Sequence, residues 1–128
     1  MSAQPRTMLP SSPPAAEAIA QYACVYIDTG ELKTTDDATT DRPVGFAFDE
    51  YASGDATAVV TSGQFKAIVN GSGTAVAIGD NLTCGDNGIL VKDDGTSNQY
   101  VVAVALEASS TAAAEIDVMI LPNKEANP

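Results

Sequence analysis

From Tyr22 onward the chain is a series of short apolar runs separated by turn residues. The runs are ACVYI (23–27), VGFAF (44–48), ATAVV (56–60), QFKAIV (64–69), ILVK (89–92), QYVVAVAL (99–106) and EIDVMI (115–120). Between them stand Thr29-Gly30, Ser53-Gly54-Asp55, Ser62-Gly63, Asn70-Gly71-Ser72-Gly73, Gly79-Asp80, Gly85-Asp86-Asn87-Gly88 and Asp93-Asp94-Gly95. Each supplies Gly, Asn or Asp where a backbone turns or takes positive φ. Runs of this length at this rhythm predict strands. The expected fold is all-β, a compact antiparallel β-sandwich or small β-barrel.

Two of the runs echo each other. In VGFAF the bulky Val44, Phe46 and Phe48 alternate with Gly45 and Ala47, and in VAVAL the bulky Val102, Val104 and Leu106 alternate with Ala103 and Ala105. Successive strand side chains point to opposite faces, so each strand is apolar on both sides and nearly flat on one. That composition predicts a central strand closely covered by a second layer. Each copy then runs into a carboxylate (Asp49, Glu107), an Ala-Ser link and a second strand. In the second copy Ile116, Val118 and Ile120 are expected to face inward, with Glu115 and Asp117 outward. The pairing reads either as two similar hairpins or as an internal duplication.

The first residues differ in kind. Pro5, Pro10, Pro13 and Pro14 lie close together with serines between them, which favours an extended arm over residues 1–21 that stays outside the packed domain. AAEAIAQY (15–22) allows a helical turn or two at its end. A single β-domain is expected over 22–122 and a short tail over 123–128. The segment reads either as a disordered terminus or as an arm that becomes ordered by lying across a partner. Pro5, Arg6, Met8, Leu9, Pro10, Pro13 and Pro14 are its candidate partner-binding residues.

Charge narrows the partners. Six Lys and Arg stand against 17 Asp and Glu, a net charge of −11 in 128 residues. An acidic surface repels phosphate backbones and anionic lipid, so neither nucleic acid nor membrane is an expected partner. The N-terminus lacks the apolar core of a secretory signal, and export by a standard route is not expected. Cys24 and Cys84 read as small buried thiols, with a disulfide between them left open.

Catalytic chemistry finds little to use. The sequence has no histidine, which removes Ser/His and Cys/His nucleophile pairs. NGSG (70–73) lacks the lysine of a phosphate-binding loop. The carboxylate pairs Asp36-Asp37, Asp49-Glu50 and Asp93-Asp94 read as solvated turns. With no Trp, four Tyr and three Phe, a sugar-binding cleft between carboxylates would be poorly furnished. Asp80, Asn81, Asp86, Asn87, Asp93, Asp94 and Asn98 offer calcium-type oxygen donors, but in no EF-hand spacing. The expectation is a protein without enzymatic activity, catalytic residues, cofactor or metal.

The order of residues resembles a known family. A strand reading Val-Gly-Phe-Ala with an acidic residue is followed by a Gly-Asp turn and by Val60-x-x-Gly63-x-Phe65. Ala-Ile-Gly-Asp-x-Leu (77–82), a Gly-rich hairpin and a closing Val-Ala-Val-Ala-Leu-Glu-Ala-Ser strand follow. Over residues 42–121 this resembles the small capsid decoration, or cement, proteins of tailed bacteriophages. The resemblance implies a β-domain on the outer surface of a phage head, bound to the major capsid protein and stabilising the expanded shell. It also implies self-assembly as a homotrimer or homodimer, with a terminal arm making the capsid contact. The Pro/Ser arm and the DDATTDR loop depart from the family pattern. The alternative is a non-enzymatic β-sandwich binding or adhesion module for carbohydrate or a host surface, with or without calcium.

Overall fold

A computed structural model describes residues 6–122 and 124–128. Among these residues nine strands form: β1 (Thr7–Met8), β2 (Cys24–Asp28), β3 (Glu31–Thr34), β4 (Gly45–Ala47), β5 (Val59–Val69), β6 (Asn81–Cys84), β7 (Leu90–Lys92), β8 (Val101–Ala105) and β9 (Ala114–Ile120). A 3₁₀ turn, Asp86–Gly88, is the only helical element among the described residues. Of the two all-β architectures expected, the barrel is the one adopted. β5, β7, β6, β8 and β9 pair in that order, and β9 pairs back onto β5 to close the ring. The remaining strands extend from β5 as a side layer in the order β3-β2-β4, with β1 also on β5. All pairs are antiparallel except β5 with β7, which departs from the wholly antiparallel expectation.

The runs ATAVV and QFKAIV were expected to be separate strands around a Ser62-Gly63 turn. They are instead one strand of 11 residues. Gly63 has φ of 97°, a conformation only glycine adopts at little cost, and it bends the strand without reversing it. Before the bend β5 pairs with β4 and β1; from Gly63 to Val69 it pairs with β9. Three strands lie outside the predicted runs: β1, in the segment read as an arm, β3 and β6. ELKT (31–34) follows a two-residue turn in which Thr29 and Gly30 both have positive φ, the twist that suits a tight hairpin. NLTC (81–84) lies between two turns and outside the apolar runs, with its Asn81 reading only as an oxygen donor.

The echoing strands are both central, as their composition predicts. β4 lies between β2 and β5, and β8 between β6 and β9. Their flat faces are closed: Gly45, Ala47, Ala103 and Ala105 are buried. A Cβ at Gly45 would run into the Val60 carbonyl oxygen, so a side chain there has no room. The bulky faces start in the core at Phe46 and Val102 and emerge at Phe48 and Leu106. Ile116, Val118 and Ile120 face inward, as expected.

Two apolar clusters result. One fills the barrel, with Phe65, Val69, Leu82, Leu90, Val102 and Ile116 among its members. The smaller one packs Val25, Leu32, Ala47 and Val59 of the side layer against Ala15 and Ile19. The N-terminal segment therefore belongs partly to the core, against the expectation that it stays outside the domain. No helical turn forms over 15–22; Ala15 and Ile19 make isolated bridges to Leu32 and Tyr51. The physical reason is that these two apolar side chains, set four residues apart, cover the otherwise open side of the small cluster. The C-terminal tail is also docked, through an Ala126 bridge to Tyr100 and a bond from Val101 N to Glu125 O of 3.0 Å.

Two outcomes follow from this packing. Ala103→Leu or Ala105→Leu is expected to lose roughly 1–3 kcal/mol by overpacking, measured by urea unfolding. Ile19→Ala is expected to cost about 2–5 kcal/mol while unfolding stays a single transition. A neutral Ile19→Ala, or a separate early transition, would mean that the N-terminal segment does not share the core.

Candidate interaction surface

The course of residues 6–21 is set by backbone bonds. Thr7 and Met8 pair with Ser62 and Val60, and Leu9 N donates to Val59 O at 2.9 Å. Proline offers no N–H, so this stretch gives carbonyls to its neighbours. Pro13 O accepts from Thr57 Oγ1 at 2.8 Å and Pro14 O accepts from Leu32 N at 2.9 Å. Ala16 N donates to Leu32 O at 2.9 Å, and the Glu17 carboxylate accepts from Thr34 N and Thr34 Oγ1 at 3.0 and 2.8 Å. The segment thus covers the outer edge of β3.

The candidate partner-binding residues divide along this path. Pro5 lies outside the described residues. Leu9 packs against the small core cluster, and Pro13 and Pro14 are engaged through their carbonyls as above. Arg6, Met8 and Pro10 stay exposed. Arg6 Nε donates to Gln64 O at 3.1 Å, and the guanidinium lies 5.0 Å from the centre of the Phe65 ring, a cation–π contact.

Phe65 is the middle of a larger group that the sequence reading did not assemble. Tyr22 meets it edge-on at 5.2 Å, and Phe48 stacks on it at 6.2 Å with the rings 6° apart. Phe48 is 42% exposed and is followed by the exposed carboxylates Asp49 and Glu50. Tyr22 has φ of 72°, a left-handed backbone that costs a bulky residue about 1–3 kcal/mol. It is held there by Tyr22 N to Ala47 O at 3.0 Å as the chain turns from Ile19 into β2. Three of the chain's few aromatic side chains and one of its two arginines therefore share one place. Residues 6, 22, 48 and 65 carry no common spacing; Arg6 reads as a partner-binding candidate and Phe48 and Phe65 as parts of strand motifs, but nothing in the sequence joins the four.

The other cations are occupied. Lys33, Lys66 and Lys92 pair with Asp28, Asp117 and Asp80 at 3.0, 3.3 and 3.8 Å. The hydrogen bond to Asp117 raises the Lys66 pKa above its ordinary value. Arg42 lies 5.9 Å from the Tyr100 ring centre. Lys124 is buried, and its ammonium donates to Thr61 O at 2.8 Å and Leu121 O at 2.9 Å. Burial pushes its pKa down. A groove of about 350 Å³ beside it is lined by Leu9, Arg42, Val44, Thr61 and Glu125.

The acidic turns are spent on their own backbones. Asp37 Oδ1 accepts from Thr39 N and Oγ1, Asp49 Oδ1 from Glu50 N, Asp94 Oδ1 from Thr96 N and Oγ1, and Asp80 Oδ2 from Ala77 N. Asp93 accepts from Gly95 N and from the Asn127 amide. Among the described residues no three His, Cys, Asp or Glu side chains converge.

No family model matches the sequence, and no curated protein matches it. Among solved structures the fold is similar to the N base of the head fiber gp8.5 of bacteriophage phi29. The TM-score is 0.68 at 22% identity, over 92% of this chain and 98% of that one.

Lys124 generates a pH prediction. Its folded pKa lies below the unfolded value near 10.5, so in the interval between them the unfolded state binds more protons and stability rises with pH. Below the folded pKa both states are charged and burial costs its full amount. The neutral amine keeps two hydrogens for the same two carbonyls. Urea unfolding of the native protein relative to Lys124→Met is expected to move in favour of the native protein as pH rises from 7 toward 10.5. A difference that stays flat with pH would overturn this account.

Proposed function

We propose that this chain is a structural virion protein, without enzymatic activity, that attaches to the outer surface of a phage head. The observation that carries the reading is the likeness in fold, across nearly the whole of both chains, to the base of a bacteriophage head fiber. The family resemblance of residues 42–121 points to the same setting from the sequence side. In this reading the major capsid protein is the partner, and the bound domain cements neighbouring capsid subunits. The protein itself assembles as a homotrimer or homodimer.

The chemistry of the surface supports that role. Interface anchors are enriched in aromatics and arginine, surrounded by a polar rim. The Arg6, Tyr22, Phe48 and Phe65 group has that make-up, with Asp49 and Glu50 beside it. An acidic domain is kept off packaged DNA and suits the outside of the shell. Contacts repeated around a symmetric shell reinforce one another through effective concentration, so each contact needs only modest affinity.

The test is co-sedimentation with expanded empty heads from the phage that encodes the protein. The native protein is expected to pellet stoichiometrically. Arg6→Glu combined with Phe48→Ser is expected to bind about 10- to 30-fold more weakly while still melting cooperatively. Absence of pelleting by the native protein would remove the structural reading. Undiminished pelleting by the variant would leave that reading standing and displace the proposed contact.

A further inference from the structure

We propose that Cys24 and Cys84 are an oxidisable pair that closes into an intramolecular disulfide when a peroxide-class oxidant reaches it, tying the side layer to the barrel. The two sulfurs lie 3.6 Å apart inside the protein. Cys24 is on β2 and Cys84 on β6, strands that share no hydrogen bonds and are separated by β4, β5 and β7 in the sheet order. The bond would therefore cross the core instead of reinforcing a ladder already present.

The surrounding backbone holds the sulfurs in place. The turn that follows Cys84 is tied to the segment just after β3: Gly88 N donates to Thr35 O at 2.8 Å, and Asn87 N donates to Asp36 Oδ1 at 2.8 Å. Gly88 has φ of 73°, and a Cβ there would lie 2.7 Å from Cys24 O and 3.0 Å from Cys24 N. Only glycine permits so close an approach. Thr35 N in turn donates to Cys24 O at 3.1 Å. Moving from a thiol contact to a bond of about 2.05 Å asks for a shift of side chains within a clamped frame, not a rearrangement of strands.

The order of events follows from exposure and protonation. Cys24 is fully buried and Cys84 keeps 3% of its surface, so the oxidant meets Cys84. Burial raises the Cys24 pKa, which keeps that thiol protonated and donating toward Cys84. The Cys84 thiolate attacks one peroxide oxygen, the O–O bond breaks, and hydroxide leaves with a sulfenic acid remaining on Cys84. The Cys24 sulfur then displaces that hydroxyl, its proton leaving with it as water. In total two thiols and one hydrogen peroxide give one disulfide and two waters; the sulfurs lose two electrons and the peroxide gains them.

This inference stands apart from the capsid reading, because it is measured on the isolated chain. Protein purified under reducing conditions is treated with equimolar hydrogen peroxide. The intact mass is expected to fall by ~2 Da, with the thiols titrated after unfolding dropping from two to none. The melting temperature is expected to rise by about 5–15 °C, and dithiothreitol should reverse all three changes. A Cys84→Ala protein should show none of them, and Cys24→Ala provides the same control from the other strand. Two persistent thiols, a mass raised by added oxygen, or covalent dimers on a non-reducing gel would each overturn the proposal.

Discussion

β5 must satisfy two layers with one stretch of backbone. Val59 and Val60 hydrogen-bond within the side layer, whereas Gly63 to Val69 belong to the barrel wall beside β9. A straight strand can lie in only one of these surfaces. Gly63, at φ of 97°, bends the chain between them and lets one face pass from the small cluster to the large one. The consequences spread from there. β4 and β1 lie where the first half of β5 leads them, and the barrel closes because the second half reaches both β7 and β9. Phe65, two residues past the bend, is thereby brought to the seam where Arg6, Tyr22 and Phe48 meet it.

A closed ring has no edges, but a side layer built onto it creates new ones. Residues 14–17 cover part of that exposed backbone by bonding along β3, whereas residues 125–127 bond beside the start of β8 in the barrel itself. Prolines suit this work because they supply carbonyls to the neighbouring strand while presenting no N–H to a further one. The same segment that covers an edge also contributes Ala15 and Ile19 to the core. Its stability is then coupled to that of the domain, and Arg6 and Met8 are delivered to fixed positions on the surface.

The sequence made the barrel's inner walls legible because their information is local. Alternation of large and small side chains in β4 and β8, and of apolar with acidic ones in β9, reports a face on each side of a strand. β3 and β6 are only four residues each and carry little apolar signal; ELKT has one apolar side chain and NLTC two, and their strand state comes from their partners, β2 for β3 and β7 and β8 for β6. Ser62-Gly63 was ambiguous in principle, since the same dipeptide serves a reversing turn or a bend. The N-terminal segment was legible as extended, from its prolines, but not as packed, because burial of Ala15 and Ile19 depends on Leu32 and Val59. The aromatic group was the least legible feature. It joins four separate segments of the chain through tertiary structure alone.

The surface chemistry constrains any partner more tightly than the fold does. Three lysines are neutralised by nearby aspartates, Lys124 is turned inward, and both arginines lie against rings. The net charge of −11 is thus expressed by exposed carboxylates with little to offset it. Two copies of this chain repel each other at long range, so self-association has to be won by apolar contact at short range. A basic partner has the opposite balance: long-range attraction speeds encounter, and the aromatic group supplies the contact that outlasts screening by salt. On the proposed reading, if the shell offers a basic patch, carboxylates such as Asp49 and Glu50 guide the approach and the neighbouring Phe48 and Arg6 fix the register once there. Such an interface weakens in association rate as salt rises, while a change at Phe48 acts mainly on dissociation.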